Sequence, residues 1–546
     1  MATAVGYYSS TIYALVGVPP RTRVAAPPIP PAMSRRQVRP WLRRGASSRW
    51  TWIVGLGALA LVVRLVALSS AFDIFIDEIS YTNISLSVAH GGGVTLYGQP
   101  FALHPPAAFG LYAAVIVVLG LHGDTESVLL ALRNVDAVLG SATCVVTFLL
   151  VDRMARRRVA VVAALLIALD PLAISYGSRV MLEAPAQLAA VSMFLFLVLA
   201  DEAPRGTAWR LRWLIAAGVA GGVVLTTKET FGLVVLLALA LLVATGWVVA
   251  RWEAVLVIGL TLLGYAISVV ALGLSIGFGV WWNAKVGGAL RLVGANQISG
   301  FNAPQTRVSF LARILANGPT LAVTYLVLAT GSVSALVLVW WLEPWKARRR
   351  GRHHRGRAKV LVAIWTMSAA AYLAYATLFG TIEEQMYYIL LLPCVISVCL
   401  VTAGVAGHVG RRWRAVGVVV GGMALLGDSV VWVGVHGGRD DEYRRMLSWE
   451  AVHVPPTAVV SATDGTSQFL MSRGIIGQWG TVAQLEAHHV DYVVIATLLV
   501  DQGYGIAGPS FEQKVERGGR VVFAADGVSD GSLRIYDVRS MTGASR

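Results

Sequence analysis

Eleven runs of roughly 20 apolar residues fill this 546-residue chain, and they restrict its fold more than any motif does. They lie at 51–70, 128–151, 159–176, 183–200, 213–227, 230–249, 254–277, 319–342, 360–379, 386–406 and 415–435. About 20 apolar residues in a helix span the hydrocarbon core of a bilayer. The fifth run is short and ends at Thr226-Thr227-Lys228-Glu229, so a charged turn separates it from the sixth. Apolar residues make up 56% of the chain and charged residues 14%, with mean hydropathy +0.66. A typical soluble domain carries about 25% charged residues. That excludes a soluble enzyme as the main body, and excludes disorder and collagen. The expected fold is a polytopic α-helical membrane protein with about 11 transmembrane helices. Its three cysteines, Cys144, Cys394 and Cys399, all fall inside apolar runs and supply neither a zinc set nor a disulfide framework.

The loops vote on orientation. Residues 1–50 hold eight Arg and no acid. Arg153, Arg156, Arg157 and Arg158 follow the second run, and Arg205, Arg210 and Arg212 the fourth. The basic run Lys346 to Lys359 follows the eighth, and Arg411, Arg412 and Arg414 the tenth. If the spans alternate, all of these fall on one side. The first loop of the other side, 71–127, has no Lys or Arg. The positive-inside rule then places the N-terminus in the cytoplasm and the C-terminus outside, in the cytoplasmic (inner) membrane. The net charge of +15 is read the same way, as topology rather than nucleic-acid binding. Residues 1–49 read as a basic, disordered tail, with Met33 an alternative start to Met1. Residues 50–436 form the membrane domain. From 437 to 546 the apolar runs shorten to strand length, at 458–461, 492–495, 520–523 and 533–536, with a helical stretch at 481–488. Alternating strand and helix make this a small extracytoplasmic α/β domain.

Charge on the outer side is sparse and confined to a few places. Asp77 and Glu78 are adjacent in the first outer loop and point to different faces of a helix. One can act as a general base while the other holds a neighbour or a metal, or both can be an ordinary acidic helix start. His104 precedes Pro105-Pro106 and an apolar helix at 107–119, too close to the next span to cross and so juxtamembrane. It can be a polar cap, a metal ligand or a donor to phosphate. Arg179 and Glu183, four residues apart, can pair on one helix face, or Arg179 can aim its cation at a phosphate. Lys228 sits in the turn between spans five and six. The loop 278–313 carries Lys285, Arg291, Arg307 and Arg313, with Trp281 and Trp282 as an interfacial anchor. Glu383, Glu384 and Tyr387 open span ten. Acids and cations from distant loops thus share one layer, as a substrate with a phosphate head and a lipid tail requires.

In this order, Asp77-Glu78, His104-Pro105-Pro106, Arg179 with an acid four later, Lys228, and Tyr387-Tyr388 leading to Pro393 resemble the C-type glycosyltransferase superfamily. The protein O-mannosyltransferases and the lipid A aminoarabinose transferases are the nearest groups. The resemblance implies inverting transfer of a sugar from a polyprenyl-phosphate carrier to a hydroxyl-bearing acceptor, with the lipid bilayer as the site of both. It makes Asp77 the general base and Glu78 its neighbour. It places Arg179 on the donor phosphate, with Lys228 and His104 beside it. A divalent metal on Glu78 and His104 is a possible cofactor. Two departures stand out: no soluble domain interrupts an outer loop, and His replaces the Lys that the aminoarabinose enzymes carry before Pro-Pro. The rival from another class is a transporter or flippase of lipid-linked glycan, which has no need of a base in the first outer loop.

Overall fold

The chain is described by a computed structural model that covers residues 35–296, 308–342, 354–406, 408, 410–529 and 531–543, with side chains from 49. Residues 1–34, Arg307 and the basic run up to 353 lie outside the described residues. The helix α1, Arg35–Leu65, opens within the tail expected to be disordered.

Every expected apolar run lies on a helix. The run at 51–70 ends α1. Next come α2 (Ile76–Ala89), α3 (Ala107–Leu119) and α4 (Thr125–Met154). The third run is broken into α5 (Arg157–Leu169) and α6 (Pro171–Tyr176). Asp170 makes that break: its carboxylate accepts from the Ala173 amide, and Pro171 takes the first position of the new helix. The helices α7 (Glu183–Glu202), α8 (Ala208–Thr227) and α9 (Glu229–Thr245) follow, with extended Lys228 as the hinge between the last two. Then come α10 (Arg251–Ile276), α11 (Phe278–Leu292), α12 (Phe310–Ala316) and α13 (Gly318–Leu342). The membrane part closes with α14 (His354–Leu378), α15 (Glu384–Val405) and α16 (Arg411–Gly437).

Among the described residues eight helices are long and apolar enough to cross a membrane. The remaining expected spans are α1, the broken α5–α6 pair and the shorter α9. The apolar surface turned outward, such as Leu262, Leu263, Ile267, Val270 and Leu274 on α10, would be untenable in water. The chain is a multi-pass membrane protein. Helix α3 ends in exposed Val117, Val118 and Leu119, as suits a helix lying against lipid. Within the bundle, α7 packs on α4 and α8, α10 on α8, and α13 on α15. The last contact is very close: a Cβ at Gly331 would lie 2.6 Å from the Cα of Cys394.

A short helix α17 (Glu442–His453) leads into the C-terminal domain. Between α2 and α3 sits a hairpin of β1 (Thr95–Leu96) and β2 (Gln99–Pro100). The domain's sheet comprises β3 (Val459–Ala462), β4 (Ile475–Gly477), β5 (Tyr492–Ala496), β6 (Arg520–Asp526) and β7 (Ser532–Asp537). Its order is β4-β3-β5-β7-β6, parallel across the first three and antiparallel across the rest. Four of the strands and the helix at 482–487 match expectation; β4, only three residues long, was not foreseen.

The domain is fastened to the first loop through Asp440. Its carboxylate accepts from the Val528 and Ser529 amides at 2.8 and 2.9 Å, from the Ser529 hydroxyl at 2.5 Å, and from the Asp73 amide at 3.3 Å. Asp73 in turn accepts from the Tyr443 amide. Burial pushes both Asp73 and Glu442 above the usual carboxylate range, and the neighbouring Asp73 raises Glu442 further.

Candidate active site

The site grows from the ends of helices on the side that carries the C-terminal domain. Helix α2 begins with an acid pair whose members do different jobs. Glu78 is fully buried. Its carboxylate takes two bonds from the Arg133 guanidinium, at 2.9 and 2.7 Å. It also accepts from the amides of Val180 and Phe75. Arg133 spends its remaining donors on the carbonyls of Leu68, Phe72 and Asp73. Glu78 therefore locks α2, α4 and the turn before α7 together, and has no oxygen left for a metal.

Asp77, one residue earlier, turns the other way and stays half-buried. Burial and the nearby Glu383 and Glu183 raise its pKa to about 7, against the opposing pull of Lys228 and Arg291. At neutral pH it is thus poised between its two forms rather than fully ionised as its ordinary pKa near 3.9 implies. One turn on, Tyr81 bonds to it and is held firmly un-ionised by burial and that carboxylate. The Tyr81 ring meets His104 edge-on at 5.8 Å. Burial, Lys228, Lys285 and Arg291 drive His104 well below its usual pKa, so the ring is neutral.

Around Asp77 and His104 stand three ion pairs. Lys228, at the α8–α9 hinge, pairs with Glu183 and donates to Gln385 at 3.0 Å. Arg291 of α11 pairs with Glu383. Lys285 of α11 pairs with Glu229 at 2.7 Å and donates to the Leu103 carbonyl, pinning the His-Pro-Pro loop. The i, i+4 pair between Arg179 and Glu183, one of the two readings the sequence left open, is not made; Glu183 pairs with Lys228.

Arg179 belongs to a second lobe. Its guanidinium lies over the Phe72 ring at 5.1 Å and donates to the Ser529 hydroxyl at 3.4 Å. Glu384 of α15 lies in the field of Arg179 and Arg313, and Tyr387, one turn on, in that of Glu384. Adjacent acids at the start of α15 thus divide the site: Glu383 serves the lobe of Asp77, and Glu384 the lobe of Arg179.

The structure brings Asp77, His104, Glu183, Lys228, Arg291 and Glu383 into one lobe, and Arg179, Glu384 and Tyr387 into the other. A divalent cation on Glu78 and His104 does not fit. Glu78 is consumed by Arg133, His104 is surrounded by cations, and among the described residues no three His, Cys, Asp or Glu side chains converge on a metal position. Sequence reasoning missed Arg133, Tyr81 and Gln385. Arg133 sits inside an apolar run, where a charge is costly unless paired, and that cost was the available signal.

A family model for dolichyl-phosphate-mannose-protein mannosyltransferase matches residues 121–284. No curated protein matches the sequence. Among solved structures, the chain is similar to ArnT from Cupriavidus metallidurans bound to undecaprenyl phosphate, with a TM-score of 0.52 and 16% identity. That match covers 90% of this chain and 99% of the other. It is also similar to the oligosaccharyltransferase AglB from Archaeoglobus fulgidus, solved with an inhibitory peptide and a dolichol-phosphate. There the TM-score is 0.55 and identity 12%, over 90% of this chain and 74% of the other. The chain has the fold of the C-type membrane glycosyltransferases.

Proposed function

We propose that this protein is an inverting glycosyltransferase that moves a sugar from a polyprenyl-phosphate carrier to a hydroxyl on a cell-envelope acceptor. The observation that carries this reading is Asp77. It is a half-buried carboxylate with a pKa near 7, in a lobe edged by cations, on a fold shared with proteins solved with polyprenyl phosphates. A general base works best with a pKa near the operating pH and contributes about 10²–10⁴-fold.

Asp77 takes the proton of the acceptor hydroxyl as that oxygen bonds to the anomeric carbon. The bond from that carbon to the carrier phosphate breaks on the opposite face, and the electron pair leaves with the phosphate. Growing charge on the phosphate needs fixed cations in a site shielded from water. Arg179 is assigned to that role, with Lys228 steadied by Glu183 and Gln385 nearby. Neutral His104 can donate or accept one hydrogen bond at the sugar without adding charge. Glu78 acts on architecture alone. The basic loops support a cytoplasmic N-terminus and a site on the outer face.

The test uses purified, detergent-solubilised enzyme, radiolabelled polyprenyl-phosphate sugars and a membrane extract. Wild type should move label from carrier to acceptor, and Asp77→Asn should lose that transfer while keeping its melting temperature. Transfer retained by Asp77→Asn removes Asp77 from the base role.

A further inference from the structure

The lobe of Arg179 is built from both parts of the molecule. Arg179 comes from the turn before α7, and Arg313 from α12. Each is met by a group of the C-terminal domain. The Ser529 hydroxyl accepts from Arg179, and Ser529 is itself fixed by its three bonds to Asp440. Tyr504 lies under the Arg313 guanidinium at 5.2 Å, and the Gln502 carbonyl accepts from it at 3.2 Å. Glu384 lies in the field of both cations.

The lobe also holds donors with nothing to donate to. The Arg179 Nε–H, the Ser178 hydroxyl and the Tyr387 hydroxyl are buried with no partner among the described residues. Buried donors are almost always satisfied, and three such groups beside the Arg179 guanidinium fit an oxyanion.

We propose that the C-terminal domain is part of the donor site: Tyr504 and Ser529 are positioning residues that hold Arg313 and Arg179 near Glu384, aimed at the carrier phosphate. This rests on the assignment of Arg179 to that phosphate. The domain then does more than cap the membrane part. Undocking it would release both cations at once, and the carrier's head group would bind only when the domain is seated.

The full-length enzyme carrying Ser529→Ala, Tyr504→Ala or Tyr504→Phe tests this. Undecaprenyl phosphate serves as the binding probe, alongside donor KM and kcat. A hydrogen bond or a partly desolvated cation–π contact to a charged group is worth enough to shift affinity about tenfold. Ser529→Ala and Tyr504→Ala should therefore each raise the donor KM and the Kd for undecaprenyl phosphate about tenfold, with melting temperature little changed. Tyr504→Phe keeps the ring under Arg313 and should recover most of the loss, so it stands in should Tyr504→Ala fail to fold. Arg179→Ala separates the two readings. If it weakens binding while the Ser529 and Tyr504 variants bind as wild type, the domain's role is overturned and the phosphate assignment stands. If Arg179→Ala itself binds as wild type, the phosphate assignment falls and this inference with it. A loss confined to kcat overturns the positioning role as well.

Discussion

At the residue scale the site turns on two neighbouring acids with opposite fates. Asp77 must be ionised to accept a proton, and burial lifts its pKa to about 7. Its active form therefore accumulates as pH rises. The kcat/KM profile should climb about tenfold per pH unit below 7 and level off above it. A profile flat from pH 5 to 8 would exclude Asp77 as the titrating base. Glu78 predicts something different. Truncating Arg133 to Ala leaves a buried carboxylate unpaired, at a cost of about 3–5 kcal/mol. The readout is a large drop in melting temperature in detergent, with activity lost through unfolding. Sequence order identified both acids but not which would be free. Arg133, 55 residues further on, decides that, and adjacency along the chain says nothing about it.

At the element scale the apolar runs located the helices well, because length and composition alone fix what can cross a bilayer. What they blurred was interruption. Asp170-Pro171 splits one run by capping a new helix, and Lys228 halts another in an extended conformation. Both breaks were legible as residue types, and the Lys228 turn was read as such; the first was hidden by its apolar flanks. Pairing across helices was beyond the sequence: Glu183 pairing with Lys228 rather than with Arg179 is a result of packing. Close packing also sets the tolerance of α13 on α15. Gly331→Ala would drive a methyl group into Cys394. The expected cost is about 1–3 kcal/mol, measured as a lowered melting temperature. No change there would mean the two helices have slack.

At the scale of the whole molecule, an odd number of crossings leaves the two chain ends on opposite sides. With eleven spans, a periplasm-active phosphatase fused at the C-terminus should be active, and a tag at the N-terminus should be shielded from protease in spheroplasts. An active fusion at both ends would require an even count and a revised site face. The α/β character of the C-terminal domain was readable from its short alternating apolar runs. Its engagement with the site was not, since Ser529, Tyr504 and Asp440 are ordinary polar residues until the fold sets them against Arg179, Arg313 and Asp73.

The bond between Asp73 and Asp440 joins positions 367 residues apart. Ribosomes add roughly 5–20 residues per second, so the first loop emerges roughly 20–70 s before its last partner exists. Glu78 meets Arg133 early in that interval, Lys228 follows, and Glu383 arrives later still. The site is assembled in the order of translation, and its cationic lobe is the final piece. A nascent chain that stalls before residue 440 already carries its base but cannot yet seat the loop of Ser529. Such a chain would sit in the membrane without transferase activity, and only finished chains would compete for the carrier lipid.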